Sequence, residues 1–244
     1  MFILDFFIFF WSVWIATFFL KFEKNPHYSW SEFLCKTWFR ITCKTNPNNK
    51  LFDQKCIYFT NHRCQGDFFI DQYLTNGRSI FISRILVAIF GFMYLPISWF
   101  SRSLVFISRS KNRKTTFGHI TKYWNSSKYP CLLVYPEGTR NQSTISKKLK
   151  SGFIEYSFVH KIPIQIFITK NKERVFSTKT LTSNKDVTLY TVYTAPIFPE
   201  KYSKRSRVSL DNMDLYNNME NLNLIGLEIP NQASTYVENY ITAN

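Results

Sequence analysis

Apolar residues of this chain gather in short runs that are separated by longer amphipathic stretches. Runs rich in strand formers occur at residues 56–60, 104–107, 131–135, 162–168 and 187–193. Stretches with helical length and spacing lie between them, at residues 67–76, 113–126 and 147–160. Strands that alternate with helices indicate an α/β fold, with a mixed, largely parallel sheet flanked by helices. The polar stretch 170–186 is predicted to be a loop.

Residues 2–20 form a nearly unbroken apolar run, interrupted by Asp5 and two small polar residues. As a helix this run would be about 28 Å long, close to the hydrocarbon thickness of a bilayer. We therefore predict a membrane-anchoring helix over residues 1–24, which either spans the bilayer or lies in its interface; a core helix is the alternative. Lysines follow the run and none precedes it, which favours a cytosolic position for the rest of the chain.

A second apolar run covers residues 80–100 and contains Arg84, Gly91 and Pro96. A spanning helix would tolerate these residues only with partners that satisfy its broken backbone. A broken or interfacial helix that dips into one leaflet has a lower free-energy cost than a spanning helix, because the arginine side chain can reach the headgroups. A buried core helix remains the alternative.

Charge is distributed unevenly along the 244 residues, which carry a formal net charge of +15. All 31 lysines and arginines precede Val208, whereas residues 208–244 contain five acidic residues and no basic one. We predict one domain at residues 25–207, followed by an acidic tail at 208–244. The basic domain favours anionic partners such as phosphates, acidic lipid or nucleic acid. Five cysteines without a CxxC pair argue against a disulfide framework or a zinc site and favour a reducing compartment.

The first candidate for chemistry is Asn61-His62, followed by Asp67 five residues after the histidine. His62 leaves a predicted strand and Asp67 opens a predicted helix, with Gly66 supplying the bend. In that arrangement a carboxylate binds one ring nitrogen of histidine and raises the basicity of the other. The second nitrogen then takes a proton from a substrate hydroxyl. By itself, such a pair is more often structural than catalytic.

A second candidate follows the predicted strand at 131–135. Its sequence is Tyr135-Pro136-Glu137-Gly138-Thr139-Arg140. Ligands of α/β sheets bind beyond the carboxyl ends of strands. There Gly138 permits close approach of the backbone, and Thr139 and Arg140 can donate to phosphate oxygens. Glu137 is expected to fix a basic side chain, and an ordinary turn with a Glu–Arg pair is the alternative.

A third strand end also finishes in a cation. The run from Phe106 ends at Arg109, and Lys111, Arg113 and Lys114 follow it. Convergence of this strand end with the other two would create a positive patch, although a solvated basic face is the usual role of such runs.

These segments together resemble the lysophosphatidic acid acyltransferases and the wider glycerolipid acyltransferases, whose first motif is NHx4D. Asn61-His62…Asp67 matches that motif in full. Residues 106–109 and 135–140 are similar to the second and third motifs, with tyrosine in place of the commoner phenylalanine at the start of the third. Residues 162–164 are similar to the fourth motif. The resemblance covers about residues 50–170, with the motifs in the same order and at similar spacing.

The resemblance implies transfer of a fatty acyl group from acyl-CoA to lysophosphatidic acid, giving phosphatidic acid. It implies that His62 is the general base and Asp67 its partner. Substrate-binding residues implied by it are Asn61, Arg109, Glu137, Gly138, Thr139 and Arg140. We expect membrane phospholipids, acyl-CoA and a lysophospholipid acceptor as partners, with acyl-CoA as co-substrate and neither a cofactor nor a metal. The expected location is the endoplasmic reticulum or an equivalent internal membrane, with the catalytic domain facing the cytosol.

Several alternatives stay open. One alternative is a different acceptor, either another lysophospholipid or glycerol 3-phosphate. Another is a transacylase, which would use a phospholipid as the acyl donor. Cys64 lies two residues after His62 and is a possible acyl-carrying nucleophile, although it fills a variable position of the motif. An inactive membrane-anchored phospholipid-binding module would be expected to have a damaged His–Asp pair. A nucleic-acid binder would explain the charge but leave the apolar N-terminus without a role, so we expect no nucleic-acid partner.

Overall fold

The computed structural model of the chain describes residues 11, 12, 14, 15, 18, 19, 22–46, 50–84, 97, 100–107, 112–141, 149–177 and 182–201. These residues fall into two compact units. The described residues of the first unit lie within Met1–Thr42, Gln65–Leu133 and Lys172–Val187. Those of the second lie within Cys43–Cys64, Val134–Asn171 and Thr188–Asn244.

Helices and strands alternate along much of the chain. The helices whose full range the structure describes are α1 (Pro26–Phe33), which continues into a π-helical turn (Leu34–Trp38), α2 (Asp67–Leu74), α3 (Arg113–Asn125), α4 (Gly152–His160), the short α5 (Lys172–Val175) and a 3₁₀ turn (Pro199–Lys201). The strands are β1 (Thr42–Thr45), β2 (Ile57–Thr60), β3 (Ser79–Arg84), β4 (Leu104–Ile107), β5 (Cys131–Val134), β6 (Ile164–Lys170), β7 (Phe176–Ser177), β8 (Thr182–Ser183) and β9 (Thr188–Tyr193).

In the first unit, β3 pairs in parallel with β5 on one side and with β4 on the other. Ile80 and Phe81 of β3 are buried with Leu132 of β5. Aromatic rings add to this core, since the ring of Phe69 in α2 stacks on that of Phe39, directly after the π-helical turn, at a centroid distance of 5.5 Å. Burial of such large apolar side chains is the main stabilising contribution of this core.

In the second unit, β6 lies between β2, to which it is parallel, and β9, to which it is antiparallel. Every residue of β2 is buried, and so is every residue of β6 before Lys170. This explains why both strands appear in the sequence as continuous apolar runs without alternation. Parallel pairing brings the carboxyl ends of β2 and β6 to the same edge, directly before Asn61.

The predicted α/β fold, with a mixed and largely parallel sheet flanked by helices, is confirmed by these pairings. The predicted strand at 104–107 matches β4, and the other predicted strands differ from the observed bounds by at most two residues at either end. The prediction of a helix was wrong for the start of the apolar run 80–100, because these residues belong to strand β3. A short buried apolar run has no periodicity that separates strand from helix. Residues 85–96 of that run lie outside the described residues.

The stretch 170–186 is not the simple loop that its polarity predicted. It contains α5 and a two-stranded ribbon in which β7 pairs antiparallel with β8. Lys172, Val175 and Phe176 are buried. The polar composition of this stretch could not predict the burial of Lys172, because lysine side chains are usually exposed.

The predicted N-terminal anchor is only partly described, because residues 1–10 lie outside the described residues. Trp11, Trp14, Ile15 and Phe18 are helical and expose between 46% and 65% of their surface. Within the described part of the chain, no helix has both the length and the apolar character needed to cross a membrane. The acidic tail at 208–244 lies beyond the described residues, so the domain boundaries stay predictions.

A buried polar network lies in the first unit around His27, which is fully inaccessible to solvent. A hydrogen bond of 2.8 Å joins its Nδ1 to Ser103 Oγ, and another of 2.6 Å joins Ser103 Oγ to Ser101 Oγ. The imidazole also stacks on Phe68 at a centroid distance of 4.2 Å. Burial lowers the pKa of His27 from 6.5 to about 3, although a hydrogen bond with the backbone of Phe68 opposes the shift. The imidazole is therefore neutral at physiological pH.

Candidate functional site

Asn61 follows β2 directly, and its side chain holds the backbone in place at the end of the strand. Its side-chain amide donates to the carbonyl of Thr169 at 3.0 Å, and the Thr169 N–H donates to its Oδ1 at 3.1 Å. Thr169 belongs to β6, so the side chain of Asn61 extends the parallel pairing of β2 and β6 beyond Thr60. Asn61 itself is 1% exposed. These bonds fix the position from which the next residue, His62, leaves the sheet.

His62 is half-buried, and its ring stacks on that of Tyr135 with a centroid distance of 4.2 Å and an interplanar angle of 19°. Its carbonyl accepts a hydrogen bond of 2.8 Å from the N–H of Asn141. The structure therefore brings His62 together with both ends of the segment that starts at Tyr135. Stacking uses the faces of the imidazole and leaves its nitrogens to bond in the plane of the ring.

The segment after β5 is a tight turn in which the N–H of Gly138 donates to the carbonyl of Tyr135 at 2.9 Å. Pro136 presets the φ angle at the second position of the turn, as such turns favour. Gly138 has φ +69°, in the left-handed region that glycine adopts without strain. A Cβ atom at this position would also collide with the side chain of Lys150. The backbone N–H of Lys150 in turn donates to the carbonyl of Pro136 at 2.9 Å.

The side chains of this turn differ in exposure. Glu137 is 3% exposed, whereas Thr139 and Arg140 are exposed. The alkyl chain of Lys150 lies along Gly138, so two cationic residues are presented by the same turn and its neighbour. Such an arrangement of guanidinium, ammonium and hydroxyl is suited to an anionic group such as a phosphate. Arg109, the predicted cation after β4, lies outside the described residues.

Asp67 belongs to the first unit, where it is the first residue of α2. Its side chain is 1% exposed, and its Oδ1 lies 3.6 Å from Nζ of Lys172. The same ammonium lies 3.1 Å from both carboxylate oxygens of Asp71, one helical turn further along α2. Asp67 is therefore part of a buried charged cluster, defined here as the Asp67–Asp71–Lys172 cluster.

Two lysines of these arrangements were not predicted from the sequence. Lys150 stands at the end of a basic run and is separated from Gly138 by eleven residues, so no local spacing connects it with the turn. Lys172 lies in the stretch that was interpreted as a loop. The sequence gives only a weak indication that Lys172 is buried, namely its position just after the last apolar residues of β6. Among the described residues, no group of histidine, cysteine, aspartate or glutamate is placed to hold a metal ion.

The sequence is also similar to a known protein family. The family model described as Acyltransferase matches residues 40–168, which is just over half of the chain. The chain belongs to the acyltransferase family. The match includes His62, Asp67 and the turn at Gly138. A comparison of this acyltransferase with curated proteins found no match.

The fold of this acyltransferase is also similar to a solved structure. The crystal structure is that of the 1-acyl-sn-glycerophosphate (LPA) acyltransferase PlsC from Thermotoga maritima. The TM-score is 0.61, with 98% of this chain and 97% of that chain covered. Because the two sequences are only 14% identical, the likeness establishes the fold. Together with the family match, it confirms the resemblance that the order and spacing of the motifs predicted.

Proposed function

We propose that this acyltransferase moves a fatty acyl group from acyl-CoA to the free hydroxyl of lysophosphatidic acid, with His62 as general base. The observation that carries the proposal is the stacking of His62 on Tyr135. It connects a potential base with a turn that exposes Thr139 and Arg140. A base beside a phosphate-binding turn is what acylation of a lysophospholipid requires.

The proposed reaction has two steps. His62 takes the proton of the acceptor hydroxyl while the oxygen attacks the thioester carbonyl, forming a tetrahedral oxyanion. Collapse of the oxyanion breaks the carbon–sulfur bond, and the CoA thiolate takes the proton from the imidazolium. Asp67, the acidic residue of the NHx4D motif, is proposed to hold the imidazole in the required tautomer and to stabilise its charged form.

The turn at Gly138 is proposed to bind the acceptor phosphate. Arg140 supplies a bidentate donor, Thr139 a hydroxyl and Lys150 a compact positive charge. Glu137 is 3% exposed, which supports the expectation that it does not meet the anionic substrate. Its proposed role of orienting a basic side chain rests on the family resemblance. Arg109 is proposed, on the family resemblance alone, to bind the acceptor as well. Asn61 is proposed to act by holding the backbone before His62.

The covalent alternative through Cys64 is disfavoured by burial. Its thiol is fully inaccessible to solvent, whereas His62 beside it is half-buried. A thiol that solvent cannot reach is also out of reach of a thioester carbonyl, so it is poorly placed to act as a nucleophile. Direct attack by the acceptor hydroxyl therefore explains the described arrangement better than an acyl-cysteine.

The proposal is tested by an acyl-transfer assay with labelled oleoyl-CoA and a panel of acceptors. The panel contains lysophosphatidic acid, lysophosphatidylcholine, lysophosphatidylethanolamine and glycerol 3-phosphate. A parallel reaction supplies labelled phosphatidylcholine as donor without acyl-CoA. We expect labelled phosphatidic acid from the first acceptor. Product only in the reaction without acyl-CoA would instead establish a transacylase.

Arg140→Ala is expected to raise the KM for lysophosphatidic acid about tenfold or more, with kcat changed little. The physical reason is the loss of a charged bidentate hydrogen bond to the acceptor phosphate. Steady-state kinetics over a range of acceptor concentrations measure the effect. The matched control is Arg174→Ala, which removes another exposed arginine. An unchanged KM in Arg140→Ala would contradict a phosphate-binding role.

Attachment to a membrane surface is the second part of the proposal. Trp11, Trp14, Ile15, Phe18 and Phe22 recur at the spacing of one helix face, and all are exposed. Tryptophan and phenylalanine at this density favour the interface between headgroups and acyl chains. The acceptor lipid is held in the same interface. We propose that this aromatic face binds the cytosolic surface of an internal membrane such as the endoplasmic reticulum.

Phe18→Ser is expected to weaken binding to phospholipid vesicles about tenfold, because one large apolar side chain no longer transfers into lipid. Co-flotation with vesicles of phosphatidylcholine and phosphatidylglycerol measures the bound fraction. Phe33→Ser is the matched control, since Phe33 is 48% exposed but belongs to α1. Equal losses in the two variants would argue against a specific role of the aromatic face.

A further inference from the structure

The Asp67–Asp71–Lys172 cluster has an arrangement that the NHx4D motif alone does not explain. Asp67 and Asp71 stand four residues apart on α2, so their side chains lie on one face of the helix. Both are essentially inaccessible to solvent. Two buried carboxylates this close repel one another, and without a cation they would share a proton.

Lys172 supplies that cation, and it is itself fully buried. Its contacts with the two carboxylates are unequal. The ammonium lies 3.1 Å from each oxygen of Asp71 but 3.6 Å from the nearer oxygen of Asp67. Asp71 is thus the closer partner of Lys172, and one ammonium contacts both carboxylates.

The position of Lys172 is held by the elements around it. It is the first residue of α5, and Phe176 directly after α5 packs against the start of α2. A Cβ atom at Gly66, the residue before Asp67, would lie only 3.3 Å from Cβ of Phe176. This close approach fixes the α5 segment against the end of α2 that bears Asp67.

We propose that Lys172 is a positioning residue that keeps Asp67 ionised by neutralising the neighbouring Asp71. The inference rests on the proposed function, in which Asp67 must be a carboxylate to orient and stabilise the imidazole of His62. Nothing in the NHx4D motif assigns this task to a residue more than one hundred positions away. A purely structural ion cluster would tie α5 to α2 without affecting turnover per folded molecule.

The test compares Lys172→Met with the double variant Asp71→Asn/Lys172→Met in the acyl-transfer assay. Lys172→Met leaves two carboxylates that compete for one proton. We expect its kcat to fall about 10–100-fold, as when a residue supporting a functional side chain is removed, and its acceptor KM to change less than about twofold. In the double variant Asp67 is the remaining carboxylate of the cluster, so we expect kcat at least about tenfold above that of Lys172→Met.

Thermal unfolding of each variant separates folding from turnover. Removal of Lys172 alone takes one ammonium away from two buried carboxylates, whereas the double variant removes one charge of each sign and is expected to fold. Lys36→Met, which removes an exposed lysine paired with Glu32, is the matched control. If Lys172→Met does not fold, the double variant decides: a folded double variant with kcat more than about 100-fold below wild type overturns the proposal.

The remaining outcomes are also decisive. Wild-type kcat per folded molecule in Lys172→Met, or a double variant no better than the single one, overturns the role of Lys172. His62→Ala is measured alongside to keep this result apart from the proposed function. If His62→Ala is inactive and Lys172→Met fully active, only the inference about Lys172 fails. If His62→Ala keeps full activity, or wild type is inactive on every acceptor, the proposed mechanism fails and the role of Lys172 with it.

Discussion

His62→Ala is expected to lower kcat for acyl transfer roughly 10³-fold, within the range of 10²–10⁴ that a general base contributes. This corresponds to about 4 kcal/mol of lost transition-state stabilisation. The acceptor KM should change little, because the turn that presents Thr139 and Arg140 does not depend on the imidazole for charge. Steady-state kinetics with lysophosphatidic acid and oleoyl-CoA measure both constants.

Two further variants separate chemistry from packing in this experiment. The ring of His62 stacks on Tyr135, so its truncation to alanine also removes a packing contact. His62→Phe keeps an aromatic ring at that place but has no base, and we expect it to be as inactive as alanine. His160→Ala, at an exposed histidine that ends α4, should retain wild-type activity. Substantial activity in His62→Phe would show that packing, and not proton transfer, is the contribution of His62.

Much of the site in the second unit could be predicted because its residues follow strand ends. Parallel pairing forces the carboxyl ends of β2 and β6 to one edge, and the sequence marks those ends by a change from apolar to polar residues. His62 and the turn at Gly138 were found in this way. The role of Asn61 in extending the pairing to Thr169 could not be predicted, because an amide that bonds to backbone has no sequence spacing of its own.

The two unpredicted lysines show the limit of sequence patterns more clearly. Lys172 belongs to a hydrophilic stretch, and its complete burial depends on two aspartates about one hundred residues earlier. Such a long-range pairing produces no periodicity. Lys150 likewise lies against Gly138 through the path of the chain between them, which the sequence does not reveal. Charged residues are expected at the surface, and the exceptions depend on tertiary partners.

The errors in the fold have a related cause. Strand β3 covers the start of the apolar run 80–100, and its three consecutive apolar residues at 80–82 have no periodicity that separates strand from helix. Its pairing with β4 on one side and β5 on the other satisfies its backbone hydrogen-bonding groups. The strand conformation of these residues therefore depends on the neighbouring strands and not on their own conformational preference. The short α5 and the β7–β8 ribbon were missed because elements of two to four residues have no recognisable pattern.

Acid is expected to destabilise the protein through His27. Its pKa is about 3 in the folded protein, because burial disfavours the charged imidazole, against 6.5 when solvated. Well above pH 6.5 the imidazole is neutral in both states and contributes no pH dependence. Between pH 6.5 and 3 the unfolded chain binds a proton that the folded protein does not, so stability falls as the pH falls. The contribution reaches about 3 kcal/mol at pH 4, at about 1.4 kcal/mol for each pH unit.

The variant His27→Phe tests this prediction, because it keeps an aromatic ring against Phe68 and has no group that titrates. Loss of the hydrogen bond to Ser103 should cost about 1 kcal/mol at neutral pH. The free energy of unfolding should nevertheless fall less steeply below pH 6.5 than in wild type, so that the two curves converge and cross near pH 5–6. Urea unfolding at a series of pH values between 4 and 8 measures the slopes.

Ser103→Ala is the control, since it removes the same hydrogen bond but leaves the imidazole buried. This variant should lower the free energy of unfolding at every pH and keep the wild-type slope. Parallel curves for wild type and His27→Phe would show that the buried imidazole does not limit stability in acid.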